Sequence, residues 1–322
     1  SDVVRLPNRT ENMKNEKTVL FTLAAIQFTH VMDFMIMMPM SELLMEVLQI
    51  NAQQFSYLVA SYTLSAGVSG FAGSFFLDKF DRKQVLLFFF IGFTLGTAAC
   101  AMSSTYEILL TARIITGLLG GVTTSIIFAI VSDTIPYERR ASALGIVMMA
   151  FSLASAVGLP VGLYFAFHYS WNIPFYILAG VSAFLTILII TEIPPVRGHL
   201  INQAKQKDIL GFFKLLIRNK QQLVALLFSS LLIFGHFAVI PFLTPYLVQN
   251  VGFEREQITL VYLLGGIITM FSNPMVGKWA DKAGKPKVFS ILAIASVPVL
   301  LLLTNLPEVG VPLGLCVTGS FF

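Results

Sequence analysis

Apolar runs of about 20 residues, the length that crosses a ~30 Å hydrocarbon core, recur along this chain from one end to the other. Nine full runs fall near residues 18–41, 55–77, 85–104, 107–132, 141–167, 173–191, 222–249, 258–280 and 288–304, and a tenth begins near Val309. A chain built this way has one practical fold class, a bundle of membrane-crossing helices, because only internally hydrogen-bonded segments survive in lipid. Composition agrees: 56% of residues are hydrophobic and 12% charged, against about 45–50% and 25% in soluble domains. The first run is too long for a cleaved leader and carries His30 and Asp33 inside it. The tenth holds 14 residues to Phe322, too few to cross, so the native protein is expected to continue.

Charge placement orients the bundle. Of 21 Lys and Arg, nineteen lie in the N-terminal tail or in every second loop. These are Arg5, Arg9, Lys14 and Lys17; Lys79, Arg82 and Lys83; Arg139 and Arg140; Arg197, Lys205, Lys207, Lys214, Arg218 and Lys220; and Lys278, Lys282, Lys285 and Lys287. Arg255 sits on the opposite side, and Arg113 lies within a run. The positive-inside rule therefore puts the N-terminus in the cytoplasm. Basic residues alternating with helices are topogenic, so no nucleic-acid partner is expected. Cys100 and Cys316 stand far apart in apolar runs, which points to neither a disulfide framework nor a metal.

The longest polar connection, Pro194 to about Gln221, divides six runs from the remainder and includes an amphipathic piece, Ile209–Ile217. The expected organisation is a cytoplasmic tail 1–17, a six-helix bundle 18–192, a cytoplasmic linker 193–221 and a second bundle 222–322, truncated within its tenth span. An internal repeat supports this division. Asp78 matches Asp281, Arg82 matches Lys285 and Gln54 matches Gln257, all at an offset of 203. The same offset carries Asp33 onto His236, the ionisable residue deep in the seventh run. Parallel repeats of this kind set equivalent helices on opposite walls of one cavity.

An acid at the depth of Asp33 costs several kcal/mol unless it meets water or a partner. Counted from Ser41 at 1.5 Å per residue, it would lie ~12 Å below the outer end of its span, and Arg113 would lie at ~9 Å, a matched depth. Arg113 would then pair with Asp33 and tune its protonation, or else snorkel to the outer headgroups. Asp33 itself could be a carboxylate merely satisfied by polar neighbours. His30 shares its helix face three residues earlier, with Gln27 one turn further back. This stripe lines a cavity or simply packs. His236 carries the same two readings. Met37 belongs to a group of methionines around Asp33 whose flexible thioethers suit an apolar ligand or lipid. No phosphate loop, metal-ligand set or nucleophilic triad appears, so no enzyme and no cofactor is expected, with protons as coupling ion.

The loop after the second run, Ser74-Phe-Phe-Leu77-Asp78-Lys-Phe-Asp81-Arg82-Lys83, is similar to the G-x-L-A-D-R-x-G-R-K signature of the major facilitator superfamily. Ser74 and Asp81 stand where that signature has glycine, and the second copy keeps both as Gly277 and Gly284. Arg113-Ile-Ile-Thr116-Gly117 resembles the family's R-x-x-Q-G. Gly145 and Gly158-Leu-Pro160-Val-Gly162 resemble a loose form of its antiporter motif. The resemblance covers residues 13–322 and is nearest to bacterial drug:proton antiporters and sugar-efflux permeases. It implies an all-α integral membrane protein of two pseudo-symmetric six-helix bundles, the second incomplete. It also implies a clasp of Asp78, Arg82 and Asp133, repeated in part by Asp281 and Lys285, that holds the outward-facing state. At residues 158–162, simple packing and a kink that seals the interface between halves remain alternatives. The expected activity is export of a small, hydrophobic or amphipathic organic molecule in exchange for protons across a bacterial inner membrane. The expected state is a monomer in contact with lipid. A facilitator or proton symporter on the same fold, and a transport-inactive sensor or scaffold, are the alternatives.

Overall fold

The computed structural model describes residues 9–196 and 219–305, with some side chains inside helices left out. The amphipathic piece Ile209–Ile217, most of the linker, the tenth span and Cys316 lie outside the described residues. The helices are α1 (Arg9–Met35), α2 (Ser41–Val47), α3 (Ala52–Phe76), α4 (Arg82–Met102), α5 (Tyr106–Thr134) and α6 (Tyr137–Leu153). After them come α7 (Leu159–His168), α8 (Ile173–Glu192), α9 (Lys220–Gln249), α10 (Arg255–Ala283) and α11 (Lys285–Thr304). A π-helical turn, Ala154–Gly158, makes α6 and α7 one continuous rod.

Each of the nine expected spans coincides with a helix or with this rod. Seven are long and apolar enough to cross a membrane: α1 from Glu16, α4, α5, the α6–α7 rod from Ser142, α8, α9 and α11 from Pro286. Of the other two, α3 is diluted by Ser, Gly and Gln, and α10 is described without interruption only over Glu256–Ser272, which is apolar throughout most of its length. The first span ends earlier than its hydropathy suggests. Its helix stops at Met35, not Ser41, because Pro39 offers no N–H to continue the ladder and biases the residue before it away from helix. Tight turns follow instead, with Met38 N donating to Met35 O and Ser41 N to Met38 O. Ile36, Met37, Met38 and Met40 are all buried.

The repeat is visible in the helix boundaries. Residue 52 opens α3 and residue 255 opens α10; residue 82 opens α4 and residue 285 opens α11. Both pairs differ by the offset read from sequence, 203. The caps also repeat. Asn51 and Gln54 exchange side-chain bonds with each other's backbone N–H ahead of α3, and Glu254 and Gln257 form the same capping box ahead of α10. Each box satisfies two donors that a helix start leaves orphaned.

The contacts group the chain into two units. The first comprises Ser1–His30, Tyr57–Ala150 and Phe175–Phe237; the second comprises Val31–Ser56, Phe151–Pro174 and Ala238–Phe322. The first holds an apolar core from Leu23 and Ile26 of α1, Leu86, Phe90 and Phe93 of α4, and Ile126, Ile127 and Ile130 of α5. In the second, α10 packs along the π-helical turn and α7.

Candidate functional site

Within the first unit, small residues decide where the polar ones go. A Cβ on Gly117 would strike the Tyr62 carbonyl, at 2.5 Å, and the Ser65 hydroxyl. One on Gly121 would strike the backbone of Ala66. These two glycines, four apart on one face of α5, let its backbone lie against α3 in the manner of small-residue packing in membranes. One turn earlier on α5, the Arg113 guanidinium then rests over the Tyr62 ring, 4.1 Å from its centroid. Arg113 is 1% exposed, so its charge lies inside the fold. Thr116, in the glutamine position of the family motif, bonds back to Ala112 O and touches Cys100 Sγ at 3.8 Å.

Tyr62 also reaches α1. Its hydroxyl lies 3.2 Å from His30 Nε2. On the other side of the imidazole, Thr124 Oγ1 is 3.4 Å from Nδ1 and donates to Gln27 Oε1 at 3.2 Å. Phe93 of α4 closes over the ring, with centroids 5.6 Å apart. Gln27 and His30, singled out by their stripe, thus meet Arg113 through two residues the sequence reading did not name, Tyr62 and Thr124. A single chain shows which face of its own helix a residue occupies, not which helix comes to lie opposite.

Where α4 begins and α5 ends, Arg82 Nε meets Asp133 Oδ2 at 3.3 Å, which brings together two of the clasp residues. Asp78 falls in the 310 turn Leu77–Lys79, but its side chain, like those of Asp281, Lys285 and His236, lies outside the described residues. Asp81, the departure from the family glycine, turns out to cap α4. Its carboxylate accepts from Lys83 N at 2.9 Å and from Val196 N at 3.2 Å. Arg82 N donates to Val196 O in return, so the chain leaving α8 is stitched to the signature loop. Further along, Arg139 pairs with Glu16 at 3.0 Å.

In the second unit, Asp33 is fully buried, two residues before the end of α1. It therefore lies in the last turn of α1, ~3 Å from the helix end at 1.5 Å per residue. Its neighbours Met32 and Ile36 pack on the antiporter-type segment. A Cβ on Gly158 would strike the Met32 sulfur, and one on Gly162 would come within 2.7 Å of Ile36 Cδ1. Gly266 of α10 approaches the backbone of Ser155 and Ala156 as closely. The π-helical turn has a cause in Pro160, which lacks an N–H and would crowd the carbonyl four residues back. The backbone widens there, and Leu159 N donates to Ala154 O, five residues back. A Cβ on Gly145, by contrast, would meet nothing within 4 Å. Met37 is buried in the turn after α1.

Buried ionisable groups in apolar helices, an ion pair at a signature loop and a duplicated helix plan define a multi-pass membrane protein. The sequence profile of the Major Facilitator Superfamily matches residues 23–322, and the chain belongs to that superfamily. Among its relatives, an uncharacterised MFS-type transporter of Bacillus subtilis, YtbD, is 26% identical over 71% of this chain and 57% of its own length. A probable sugar efflux transporter of Mannheimia succiniciproducens is 24% identical over 70% of this chain and 55% of its own. The chain thus spans a little over half the length of these relatives. In solved structures, a D-xylose-proton symporter shares the fold with a TM-score of 0.73 at 15% identity, covering 95% of this chain and 78% of its own. A bacterial homologue of the human lysosomal transporter Spinster, inward-facing and unoccupied, also gives 0.73 at 15% identity, covering 95% and 72%.

Proposed function

We propose that this protein is a secondary transporter of a bacterial inner membrane, with its N-terminus in the cytoplasm, working as a monomer by alternating access. It exports a small hydrophobic or amphipathic organic molecule and takes in protons. Asp33 carries the proton, Arg113 and His30 act with it in proton coupling, and Gln27, Met37 and His236 contribute to the substrate cavity. The observation that carries this reading is Asp33 itself, a carboxylate with no exposed surface in an apolar helix. Such a group persists where it is used, and protonation is the cheapest way to neutralise it. Each charge that crosses 100 mV supplies about 2.3 kcal/mol, enough to bias a two-state equilibrium more than tenfold. Arg82 and Asp133, with Asp78, act as the cytoplasmic clasp of the outward-facing state, and Asp281 and Lys285 as its partial repeat.

A second reading, export of a sugar, draws support from the names of the relatives and from Gln27 and Thr124, whose amide and hydroxyl suit a polyol. The two readings part in proteoliposomes loaded with pyranine and given either ethidium or L-arabinose as probe. Proton movement driven by ethidium favours the first and by L-arabinose the second. In either case Asp33→Asn should abolish proton-coupled flux yet leave exchange without a gradient intact. An unchanged pH dependence in that variant would remove Asp33 from the mechanism.

A further inference from the structure

Tyr62 is 2% exposed and presents two chemically different surfaces to two different charged or chargeable partners. Its ring face takes the Arg113 guanidinium, an electrostatic attraction to the ring quadrupole that strengthens away from water. Its hydroxyl takes His30 Nε2, which meets the requirement that a buried phenol find a hydrogen-bond partner. The rest of the network fixes the direction of each bond. Thr124 has one hydroxyl proton and gives it to Gln27 Oε1, so at His30 Nδ1 it can only accept. His30 therefore carries its proton on Nδ1, and Nε2 accepts from the Tyr62 O–H.

We propose that Tyr62 is a positioning residue for proton coupling, a two-sided bridge through which the protonation of His30 is felt at Arg113. This rests on the proton-coupled reading given above. A proton arriving on Nε2 makes that nitrogen a donor. The Tyr62 hydroxyl must then turn from donor to acceptor, and a second positive charge appears on the far side of the ring that Arg113 covers. The titratable and charged groups around His30 are few. From α3 comes Tyr62, from α5 comes Arg113 across the Tyr62 ring, and on α1 itself Asp33 follows one turn on. The other contacts are Thr124 and Gly120 of α5, Phe93 of α4 and Gln27 of α1.

Tyr62→Phe keeps the ring under Arg113 and removes only the hydroxyl, whereas Tyr62→Leu removes both. Histidine-selective 15N NMR of the full-length protein in nanodiscs, with His30→Gln to assign the signal, reads the bridge directly. The expected result is a His30 resonance of the Nδ1–H tautomer whose Nε2 signal moves to a non-hydrogen-bonded value in Tyr62→Phe, at unchanged thermal stability. Proton flux driven by ethidium or L-arabinose should shift its pH profile by about half a pH unit in that variant, roughly threefold in proton affinity. Tyr62→Leu should shift it further; if that variant does not fold, Tyr62→Phe alone decides. His30 spectra and flux profiles that coincide with the wild type would overturn the proposal while leaving proton coupling in place. Wild-type vesicles in which neither probe moves protons would overturn the coupling reading, and this bridge role with it.

Discussion

A carboxylate and a guanidinium buried in apolar helices, and a half-buried imidazole, each need compensation, because an uncompensated charge in such a place costs several kcal/mol. For Arg113 part of that compensation is an aromatic face, and a single hydrogen atom on Gly117 makes the approach possible. Gly117→Val should therefore force α5 off α3, with an overpacking cost of about 1–3 kcal/mol. The expected sign is a clear drop in the thermal unfolding midpoint in detergent, together with loss of the Tyr62 dependence described above. An unshifted midpoint would mean that the two helices are not held at this distance. The ionisable residues of this site were legible in the sequence, since a charge stands out in an apolar run. Tyr62 and Thr124 were not, because both are ordinary residues in a membrane helix and acquire meaning only from the helix they meet. Asp81 was visible as a departure from the family glycine, but nothing in the sequence announced that it would cap α4 and hold Val196.

Among the elements, the first span and the fifth show how proline edits a hydropathy pattern. Six apolar or weakly polar residues after Met35 read as a continuation of the helix, yet Pro39 ends it, and Asp33 falls in its last turn. Hydropathy reports what a segment is surrounded by, not whether its ladder is intact. Pro160 acts differently, since the helix carries on past it through one widened turn. Pro160→Ala restores the missing donor, so the segment 154–158 should relax toward an ordinary helix. That change withdraws the bulge from Gly266, so Gly266→Ala, which strikes the Ala156 backbone in the parent protein, should lower the unfolding midpoint less in the Pro160→Ala background than in the parent. Equal drops in the two backgrounds would show that the bulge does not depend on the proline. Gly162→Val, in contact with Ile36 Cδ1, should cost about 1–3 kcal/mol by the same overpacking argument, whereas Gly145→Ala, with open space around it, should be neutral in the same unfolding assay.

For the whole molecule, the recurring spans marked the helices before any coordinates, and the offset of 203 marked which helix starts repeat. Repeats leave their mark in sequence wherever caps and loops must be rebuilt with the same chemistry, as at Asn51 and Glu254. Single cysteines at the exposed positions Lys79 and Ser104 should label from opposite sides of the membrane, the first from the cytoplasm; labelling of both from one side would refute the orientation. The two copies nonetheless part company at one position. Asp81 enters α4 with φ −59°, and its counterpart Gly284 enters α11 with φ +94°, a region costly to residues with a side chain. Substitution is thus a one-way street between the twins. Asp81→Gly fits the backbone and merely unfastens a tether, but Gly284→Asp must wrench a turn into the wrong hand. A chain that repeats its own plan has in this way given each copy its own turn, and the copies are no longer interchangeable parts.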